Sequence, residues 1–342
     1  MTDKVRVGII GVGRMGALHL QKFLQMGHVE VVGIYEPSQI RALALKDEYG
    51  VIPFESIDDL LFESDGVVVS APTADHFEIA SKAARHGVHA LLEKPICETV
   101  EQAQSLVDQF RGAKKHLHIG LLERFRLKGL TRDLPLGAPR YIEASRLTPT
   151  MSREPGIDVV SDLMIHDLDL VRSLIPLSPM TVSAVGTPVI TSQLDIGNAR
   201  LEFPDGSIAN LNVSRISQRP ERKFKIFSTN SFVSIDFIAN AVDVYFRTDD
   251  GEVVHQLSEA VDLDPLSEQA HCFIESISGN QPPLITGVDG LVALRTSQLI
   301  KNIMLESLVR HAKTIERTPA FQWHTQDSDA YWAERVGTLT QS

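Results

Sequence analysis

The segment Val5–Gly16, VRVGIIGVGRMG, decides the fold of the N-terminal part of the chain. Its first six residues are an apolar run that predicts a buried strand, and residues 17–26 have the character of a helix. Between them the glycines follow the pattern GxGxxG. In this context the glycines permit a tight turn, the approach of a pyrophosphate to the backbone, and close helix–strand packing. We therefore predict a dinucleotide-phosphate cradle at a helix N-terminus, formed by Gly11, Val12, Gly13, Arg14, Met15 and Gly16.

Strands and helices alternate over the first third of the chain. After the opening strand, further strands are predicted at residues 29–35, 67–69, 88–92 and 117–120. Helical stretches of about ten residues lie between them, and this alternation is typical of a parallel, doubly wound sheet. The sequence therefore predicts a Rossmann domain over residues 1–122.

The pattern changes after residue 123 to successive strands separated by short turn signals such as Pro204-Asp-Gly206. Helices are predicted only at residues 159–174, 265–278 and 289–311, and residues 318–342 are left unassigned. The prediction is a C-terminal α+β domain over residues 123–342, with an open, mostly antiparallel sheet. The whole chain is therefore expected to be of the α/β class.

The composition limits the classes of partner. Of the 342 residues, 43% are hydrophobic and 23% are charged, which is ordinary for a globular protein. Asp and Glu number 44 against 33 Lys and Arg, so the formal charge of -11 argues against nucleic acid or anionic membrane as the main partner. Neither Cys97 nor Cys272 belongs to a disulfide or metal-ligand pattern, and no apolar run is long enough to span a bilayer. We expect a cytoplasmic protein that acts on small molecules.

An acidic residue, Glu36, ends the second predicted strand, 20 residues beyond Gly16. A carboxylate at this spacing can accept hydrogen bonds from the adenosine ribose hydroxyls, and it would repel a 2′-phosphate. Glu36 therefore favours NAD over NADP. The alternative is that Glu36 is only a solvated residue ahead of Pro37.

A short motif, Glu93-Lys94-Pro95, closes another predicted strand. Ligands of open α/β sheets bind at the carboxyl ends of the strands, so Lys94 is expected to face the cofactor. A partly buried lysine can have a lowered pKa and take part in proton transfer. A surface salt bridge between Lys94 and Glu93 is an equally good interpretation of the motif alone.

Three ionisable residues, Asp162, His166 and Asp169, are spaced i, i+4 and i+7, which places them on one stripe of a helix. A histidine beside a carboxylate is a common arrangement for acid–base chemistry. A metal site is the alternative. One helix rarely supplies three ligands over the roughly 10 Å of rise between the first and the last residue, so no metal is expected. Asp169 is predicted to have a structural role.

The order of these motifs resembles the glucose–fructose oxidoreductase, inositol dehydrogenase and rhizopine-catabolism family, Gfo/Idh/MocA. The resemblance covers residues 5–310 and rests on the cradle, Pro72-x-x-x-His76, Glu93-Lys94-Pro95, Asp162-x-x-x-His166 and Val288-Asp-Gly290. It implies oxidation of a sugar or cyclitol hydroxyl with NAD(P), and a homodimer or homotetramer formed through the C-terminal sheet. It also implies the catalytic set Lys94, Asp162 and His166, with Pro72, His76, Glu93 and Lys94 near the cofactor.

A subgroup is indicated by residues 162–167, DLMIHD, and by the Glu-Arg-Phe core of residues 120–127, GLLERFRL. The subgroup resembles UDP-N-acetylglucosamine 3-dehydrogenases, which often carry GHxERFNP there, so the flanking His, Asn and Pro are replaced in this chain. Asp162, His166, Glu123 and Arg124 are predicted to contact the substrate, since an arginine fork suits a diphosphate. The alternative for Glu123 and Arg124 is an ion pair at the domain junction.

The predicted function is NAD-dependent oxidation of a ring hydroxyl, with UDP-N-acetylglucosamine to its 3-keto form as the preferred substrate. Lys94 and His166 are both candidates for the base that takes the hydroxyl proton. Three alternatives stay open: an inositol or free-sugar dehydrogenase of the same family, non-redox net chemistry through transient oxidation, and a cofactor-binding regulator without catalysis.

Overall fold

The computed structural model describes residues 4–134, 136–149, 156–259 and 264–317. The chain forms two compact units, Met1–Arg126 with Asp262–Leu294, and Leu127–Val261 with Arg295–Ser342. The first unit thus combines the N-terminal segment with a second segment from near the end of the chain. The division at residue 122 into a cofactor domain and a substrate domain stays a prediction. Residues 318–342, which the sequence pattern left unassigned, lie outside the described residues.

The first unit contains a parallel sheet of five strands in the order β2-β1-β3-β4-β5. All four residues of β3 and all four of β4 are buried, as expected for strands covered on both faces. The predicted doubly wound sheet is confirmed. The strands are β1 Val5–Ile10, β2 Val29–Tyr35, β3 Gly66–Val69, β4 His89–Leu92 and β5 Leu117–Ile119.

Helices connect these strands and supply the apolar faces that cover the sheet. The late helix α8 (Pro265–Ile277) belongs to the same core, where Phe273 meets Phe23 edge to face at 6.3 Å between ring centroids. The other helices that begin in this unit are α1 Arg14–Leu24, α2 Gln39–Tyr49, α3 Ile57–Phe62, α4 Thr73–Arg85, α5 Val100–Ala113, α6 Glu123–Leu130 and α9 Gly287–Arg317. α6 and α9 each continue into the second unit.

The second unit contains an eight-stranded sheet in the order β13-β12-β11-β10-β6-β9-β8-β7. Its neighbours are antiparallel except for the parallel pair β6 and β9, so the predicted mostly antiparallel sheet is confirmed. The last strand was not predicted. The strands are β6 Pro139–Pro149, β7 Thr181–Thr187, β8 Ile196–Glu202, β9 Ile208–Ser217, β10 Glu221–Ser228, β11 Ser231–Asp236, β12 Ala241–Arg247 and β13 Val253–Glu259.

One face of this second sheet is buried. Ile142 and Ala144 alternate with more exposed residues along β6, which is the period of a strand covered on one side. The cover comes from a π-helical turn, Val160–Met164, from α7 (Ile165–Leu174) and from α9, which contributes Ile300 and Met304. The helix predicted over residues 159–174 is therefore present, and its first turn is π rather than α. Within the described ranges, none of the helices combines the length and the apolar character needed to cross a bilayer.

Candidate functional site

The cradle has the backbone shape that its glycines predict. Gly11 has φ +79°, and a Cβ there would lie 2.7 Å from the Ala71 nitrogen. A Cβ on Gly16 would lie 2.0 Å from the Gly11 carbonyl oxygen, whereas a Cβ on Gly13 would meet nothing within 4 Å. α1 begins at Arg14, directly after Gly13, which has no side chain to cap the first turn. The open space at Gly13 and the helix N–H groups therefore suit a pyrophosphate.

Glu36 is fixed beside the cradle. One carboxylate oxygen accepts the Val12 N–H at 2.9 Å, and the other accepts the Ser38 N–H at 3.1 Å and Arg41 Nη1 at 3.3 Å. The Glu36 side chain is only 6% exposed, which does not fit a merely solvated residue. The carboxylate is thus held at the end of β2 with one edge bonded to the cradle backbone. Its contact with a ribose stays a proposal.

Glu93, Lys94 and Pro95, hereafter the Lys94 turn, follow β4 directly, and the Lys94–Pro95 peptide is cis. Glu93 Oε1 lies 2.7 Å from His19 Nε2, and Glu93 Oε2 accepts the Lys94 N–H at 3.3 Å. A Cβ on Gly120 would lie 2.8 Å from Glu93 Oε2, so glycine leaves the room for this carboxylate. Lys94 is half-buried. The predicted placement at the carboxyl end of a strand therefore holds for Lys94.

His19 is a residue that the sequence motifs do not single out. It is fully buried on α1 and bonds to the Lys94 turn. The sequence feature that could have identified His19 is its position three residues after Gly16, on the helix that begins at the cradle.

His76 contacts the backbone on both sides of its ring. Nδ1 lies 2.9 Å from the Pro95 carbonyl oxygen, and Nε2 lies 2.9 Å from the Ala71 carbonyl oxygen. His76 is 1% exposed, and burial lowers its pKa although the two carbonyls oppose the shift. The ring thus joins the segments that follow β3 and β4, while Pro72 stands at the N-cap of α4. Cofactor contacts of Pro72 and His76 stay predictions.

The second unit carries Asp162 and His166, both half-buried, on the π turn and on the first turn of α7. Asp158 anchors the start of this segment: its Oδ1 accepts the N–H groups of Val160 and Ser161 at 2.9 Å each. Lys301 of α9 places its Nζ 3.3 Å from Asp158 Oδ2. π turns inside helices occur frequently at functional sites, so the local geometry supports a functional role for this segment.

A buried ion pair adjoins His166. Arg146 on β6 and Asp167 on α7 are each 3% exposed. Arg146 Nη2 donates to Asp167 Oδ1 at 2.7 Å, and Nε lies within 3.2 Å of both carboxylate oxygens, so the guanidinium binds as a fork. Asp169 is 1% exposed, which favours the structural role predicted for it. The pair ties the helix that carries His166 to the central part of the sheet.

Arg124 and Glu123 make ion pairs within the first unit. Arg124 Nη2 lies 3.3 Å from Asp289 Oδ1, and Nη1 donates to the Leu284 carbonyl oxygen at 3.3 Å. Glu123 Oε2 lies 3.7 Å from Arg126 Nη1. These ion pairs lie within the first unit, so both the substrate contacts of Glu123 and Arg124 and the ion pair at the domain junction stay predictions.

The predicted catalytic residues fall into two sets, since Lys94 belongs to the first unit and Asp162 and His166 belong to the second. In the part of the chain that the structure describes, no group of three or more His, Cys, Asp or Glu side chains is arranged to hold a metal ion.

Two family models match consecutive parts of the chain. Residues 5–121 match the Gfo/Idh/MocA oxidoreductase family with its NAD-binding Rossmann fold, and residues 126–233 match the C-terminal domain of that family. The chain belongs to the Gfo/Idh/MocA family. The predicted family and the activity as a nicotinamide-dinucleotide-dependent dehydrogenase are thereby confirmed.

Several members of the family are similar along most of the chain. UDP-N-acetylglucosamine 3-dehydrogenase of Acidithiobacillus ferrooxidans is 36% identical over 293 residues, which is 84% of this chain and 93% of that protein. Its crystal structure superposes with a TM-score of 0.82, at 34% identity, and covers 88% of this chain and 97% of that one. Rhizopine catabolism protein MocA of Rhizobium meliloti is 26% identical over 322 residues, 89% of this chain and 96% of that protein.

Proposed function

We propose that this family member oxidises a ring hydroxyl of a sugar nucleotide, with UDP-N-acetylglucosamine to its 3-keto form as the preferred reaction. The cradle at residues 11–16, with its open space at Gly13, is the observation that carries the redox part of the proposal. The substrate part is supported by the relative that is 36% identical over 84% of the chain and is named for this reaction. It is also supported by the Glu-Arg-Phe core at residues 123–125.

The proposed cofactor is NAD rather than NADP. The Glu36 carboxylate is held at the end of β2 by the Val12 N–H at 2.9 Å, and its charge would repel a 2′-phosphate there. Arg41 Nη1 lies 3.3 Å from the same carboxylate and offsets part of its negative charge. Gly11, Gly13 and Gly16 would hold the pyrophosphate, and Lys94 would lie toward the nicotinamide.

The reaction requires one base from the protein. When bound, NAD⁺ would supply the hydride acceptor for the ring carbon, and a side chain would take the hydroxyl proton as the ketone forms. Lys94 and His166 are the candidates. Asp162, four residues before His166, would orient the sugar or stabilise the protonated histidine. Glu123 and Arg124 would have to exchange part of their ion pairing for substrate contacts.

Replacing each candidate by a neutral side chain of similar size tests which residue is the base. Lys94→Met and His166→Asn should be compared by pH–rate profiles with saturating substrate. The variant that lacks the base should lose on the order of 100-fold or more in kcat, together with one limb of the profile. Unshifted limbs in both variants would contradict the assignment of the base to this pair.

A substrate screen tests the proposed function itself. UDP-sugars, inositols and free hexoses are incubated with NAD⁺, and NADH formation is followed. Turnover of UDP-N-acetylglucosamine is the expected result. Failure of every UDP-sugar, with turnover of a free polyol, would favour the inositol or free-sugar alternative. Binding of NADH without turnover of any compound would favour the regulator, and a product without net NADH would favour non-redox net chemistry.

The proposal includes a homodimer or homotetramer formed through the second sheet. A row of aromatic rings crosses β6, β10, β11, β12 and β13, with neighbouring centroids 4.2 to 6.2 Å apart. The row consists of Tyr141, Phe227, Phe232, Tyr245 and His255. Tyr245 in this row is 39% exposed, so the row offers apolar area for a second copy. Light scattering should show an oligomer that Tyr245→Glu weakens, and a monomeric native protein would contradict this. The cytoplasmic location expected from the sequence stays a prediction.

A further inference from the structure

Two buried histidines from different helices contact the Lys94 turn. His19 of α1 is fully buried and reaches Glu93 Oε1 through Nε2 at 2.7 Å. His76 of α4 is 1% exposed and reaches the Pro95 carbonyl oxygen through Nδ1 at 2.9 Å. The residues on both sides of Lys94 are therefore tied to helices of the same unit, and α1 is the helix that begins at the cradle.

The direction of the His19 bond follows from its partner. An ionised Glu93 carboxylate can only accept, so His19 Nε2 carries the hydrogen and donates it. His19 Nδ1 is buried and has no hydrogen-bond partner among the described residues. The tautomer with hydrogen on Nε2 leaves only a lone pair unmatched at that atom. One ring nitrogen, Nε2, therefore accounts for the whole polar contact of His19 with the turn.

His76 meets two acceptors, since Ala71 and Pro95 both present carbonyl oxygens to its ring. A neutral imidazole has one N–H, so it can donate to only one of them. Nδ1 is the ring nitrogen that faces the Lys94 turn, at the Pro95 carbonyl oxygen, whereas Nε2 faces the Ala71 carbonyl oxygen beyond the end of β3. The two histidines thus use different ring nitrogens to reach the turn.

We propose that His19 and His76 are positioning residues, which act through Glu93 and Pro95 to hold Lys94 in the orientation used for catalysis. The inference rests on the role proposed above for Lys94. Catalytic side chains must be held within about 0.5 Å of the productive geometry by their supporting contacts. A misplacement of about 1 Å can cost on the order of 100-fold in rate, so loss of either contact should be visible in kcat.

The different ring nitrogens permit a crossed experiment with the same two replacements at each histidine. The amide of Gln reaches to about the position of Nε2, and the amide of Asn to that of Nδ1. His19→Gln and His76→Asn should keep the bond to the turn, whereas His19→Asn and His76→Gln should lose it. We expect kcat to fall by about tenfold or more in the second pair and by less than about threefold in the first. KM for the sugar should change little in all four variants.

A readout that needs no turnover separates this inference from the proposed function. The full chain without substrate is treated with a trace of acetic anhydride, and the acetylation rate of Lys94 is measured by mass spectrometry. Because Lys94 is half-buried, its acetylation rate should rise several-fold in His19→Asn and His76→Gln, which lose the bond to the turn. The rate should stay near the native value in His19→Gln and His76→Asn, which keep that bond. His118→Asn is the control, since His118 is buried in the same unit and contacts Ser276 Oγ at 2.7 Å.

The outcomes are decisive in both directions. The crossed pattern in kcat and in Lys94 labelling supports the inference. It is overturned if Lys94 labelling is the same in all five variants, or if Asn and Gln at one histidine have equal effects that only follow thermal stability, as in His118→Asn. If the native protein oxidises no sugar, the proposed function fails, while the labelling pattern still decides whether the histidines hold the turn.

Discussion

The two sheets of the chain present functional side chains in different ways. In the first sheet β3 and β4 are buried along their whole length, and the candidate side chains come from the residues that follow the strands, Glu36 after β2 and Lys94 after β4. In the second sheet β6 is buried on alternate residues, and Asp162 and His166 come from a helix packed on its covered face. The first arrangement depends on backbone shape, and the second depends on how a helix is anchored.

The anchoring contacts differ accordingly. Around the Lys94 turn they are hydrogen bonds of buried histidines, whereas the second unit uses buried charges. Arg146 and Asp167 pair beneath α7, and Asp195 lies 3.7 Å from Arg215. Although burial opposes it, bonds from Thr191 and from neighbouring N–H groups lower the pKa of Asp195. Arg215 also donates to the Ile157 carbonyl oxygen, just before the capping residue Asp158. Removing one charge should therefore damage the second unit most.

The largest effect is expected for Asp167→Ala, which leaves the Arg146 guanidinium buried without its carboxylate. Breaking a buried pair in this way costs about 3–5 kcal/mol of unfolding free energy. Urea denaturation followed by circular dichroism measures the loss. The double variant Arg146→Met with Asp167→Leu is the control and should lose much less, because no charge stays buried. Equal losses in the single and double variants would show that packing, rather than charge, anchors α7.

The next effect concerns the cradle, where two glycines allow a matched comparison. In Gly16→Ala the new Cβ would lie 2.0 Å from the Gly11 carbonyl oxygen, so the fold should lose about 1–3 kcal/mol through overpacking. In Gly13→Ala the Cβ meets nothing within 4 Å, so the unfolding free energy should stay near the native value. NADH titration should still show weaker binding to Gly13→Ala, by about tenfold, because the methyl group occupies the place of the pyrophosphate. Native affinity in Gly13→Ala would contradict the assignment of the cradle.

The third effect is a loss of stability at low pH, which originates from buried histidines of the first unit. Burial lowers the pKa of His118 from 6.5 to about 3 and that of His89 to about 4. The unfolded chain binds these protons below about pH 6.5 while the folded chain does not, so stability is lost as the pH falls from there. For His118 alone the loss is on the order of 2 kcal/mol at pH 5.

The difference between native protein and His118→Asn tests this origin. The variant is less stable at neutral pH, because it loses packing against Phe273, but its stability should fall less steeply between pH 6.5 and 5. Urea titrations at the two pH values give both slopes. Identical slopes would assign the acid sensitivity to other groups.

The smallest effect is expected at Glu36. Glu36→Ser removes the charge that would face a 2′-phosphate and leaves Arg41 beside the site, so the preference for NAD over NADP should shrink by about tenfold, or about 1.4 kcal/mol. Dissociation constants of NADH and NADPH measure the ratio. Glu30→Ser, at an exposed position on β2, should leave the ratio unchanged. An unchanged ratio in Glu36→Ser would remove the basis for proposing NAD.

Local sequence patterns predicted most of the first sheet and the cradle, because apolar runs and glycine spacing act over a few residues. The same patterns missed β13, whose Val253 and Leu257 are exposed, and the π turn within the predicted helix. They gave no sign that α8 joins the first unit, since that depends on packing between Phe273 and Phe23.

The contacts that hold the candidate site were also beyond prediction. His19 and Glu93 are 74 residues apart, and Arg146 and Asp167 are 21 apart, so their pairing exists only in the folded chain. Short sequence motifs single out Lys94, Asp162 and His166, and the catalytic roles of these residues stay predictions. It could not distinguish a substrate contact of Arg124 from its ion pair with Asp289, because both use the same guanidinium.

The central claim is that the protein moves a hydride from a ring carbon of a sugar nucleotide to NAD⁺. The most direct test uses UDP-N-acetylglucosamine that carries deuterium on the carbon of the 3-hydroxyl, with the reduced nicotinamide analysed by mass spectrometry. We predict that NADH forms and that it carries the deuterium, together with a 3-keto sugar nucleotide. NADH without deuterium, or no NADH from this substrate while a free polyol is oxidised, would contradict the account.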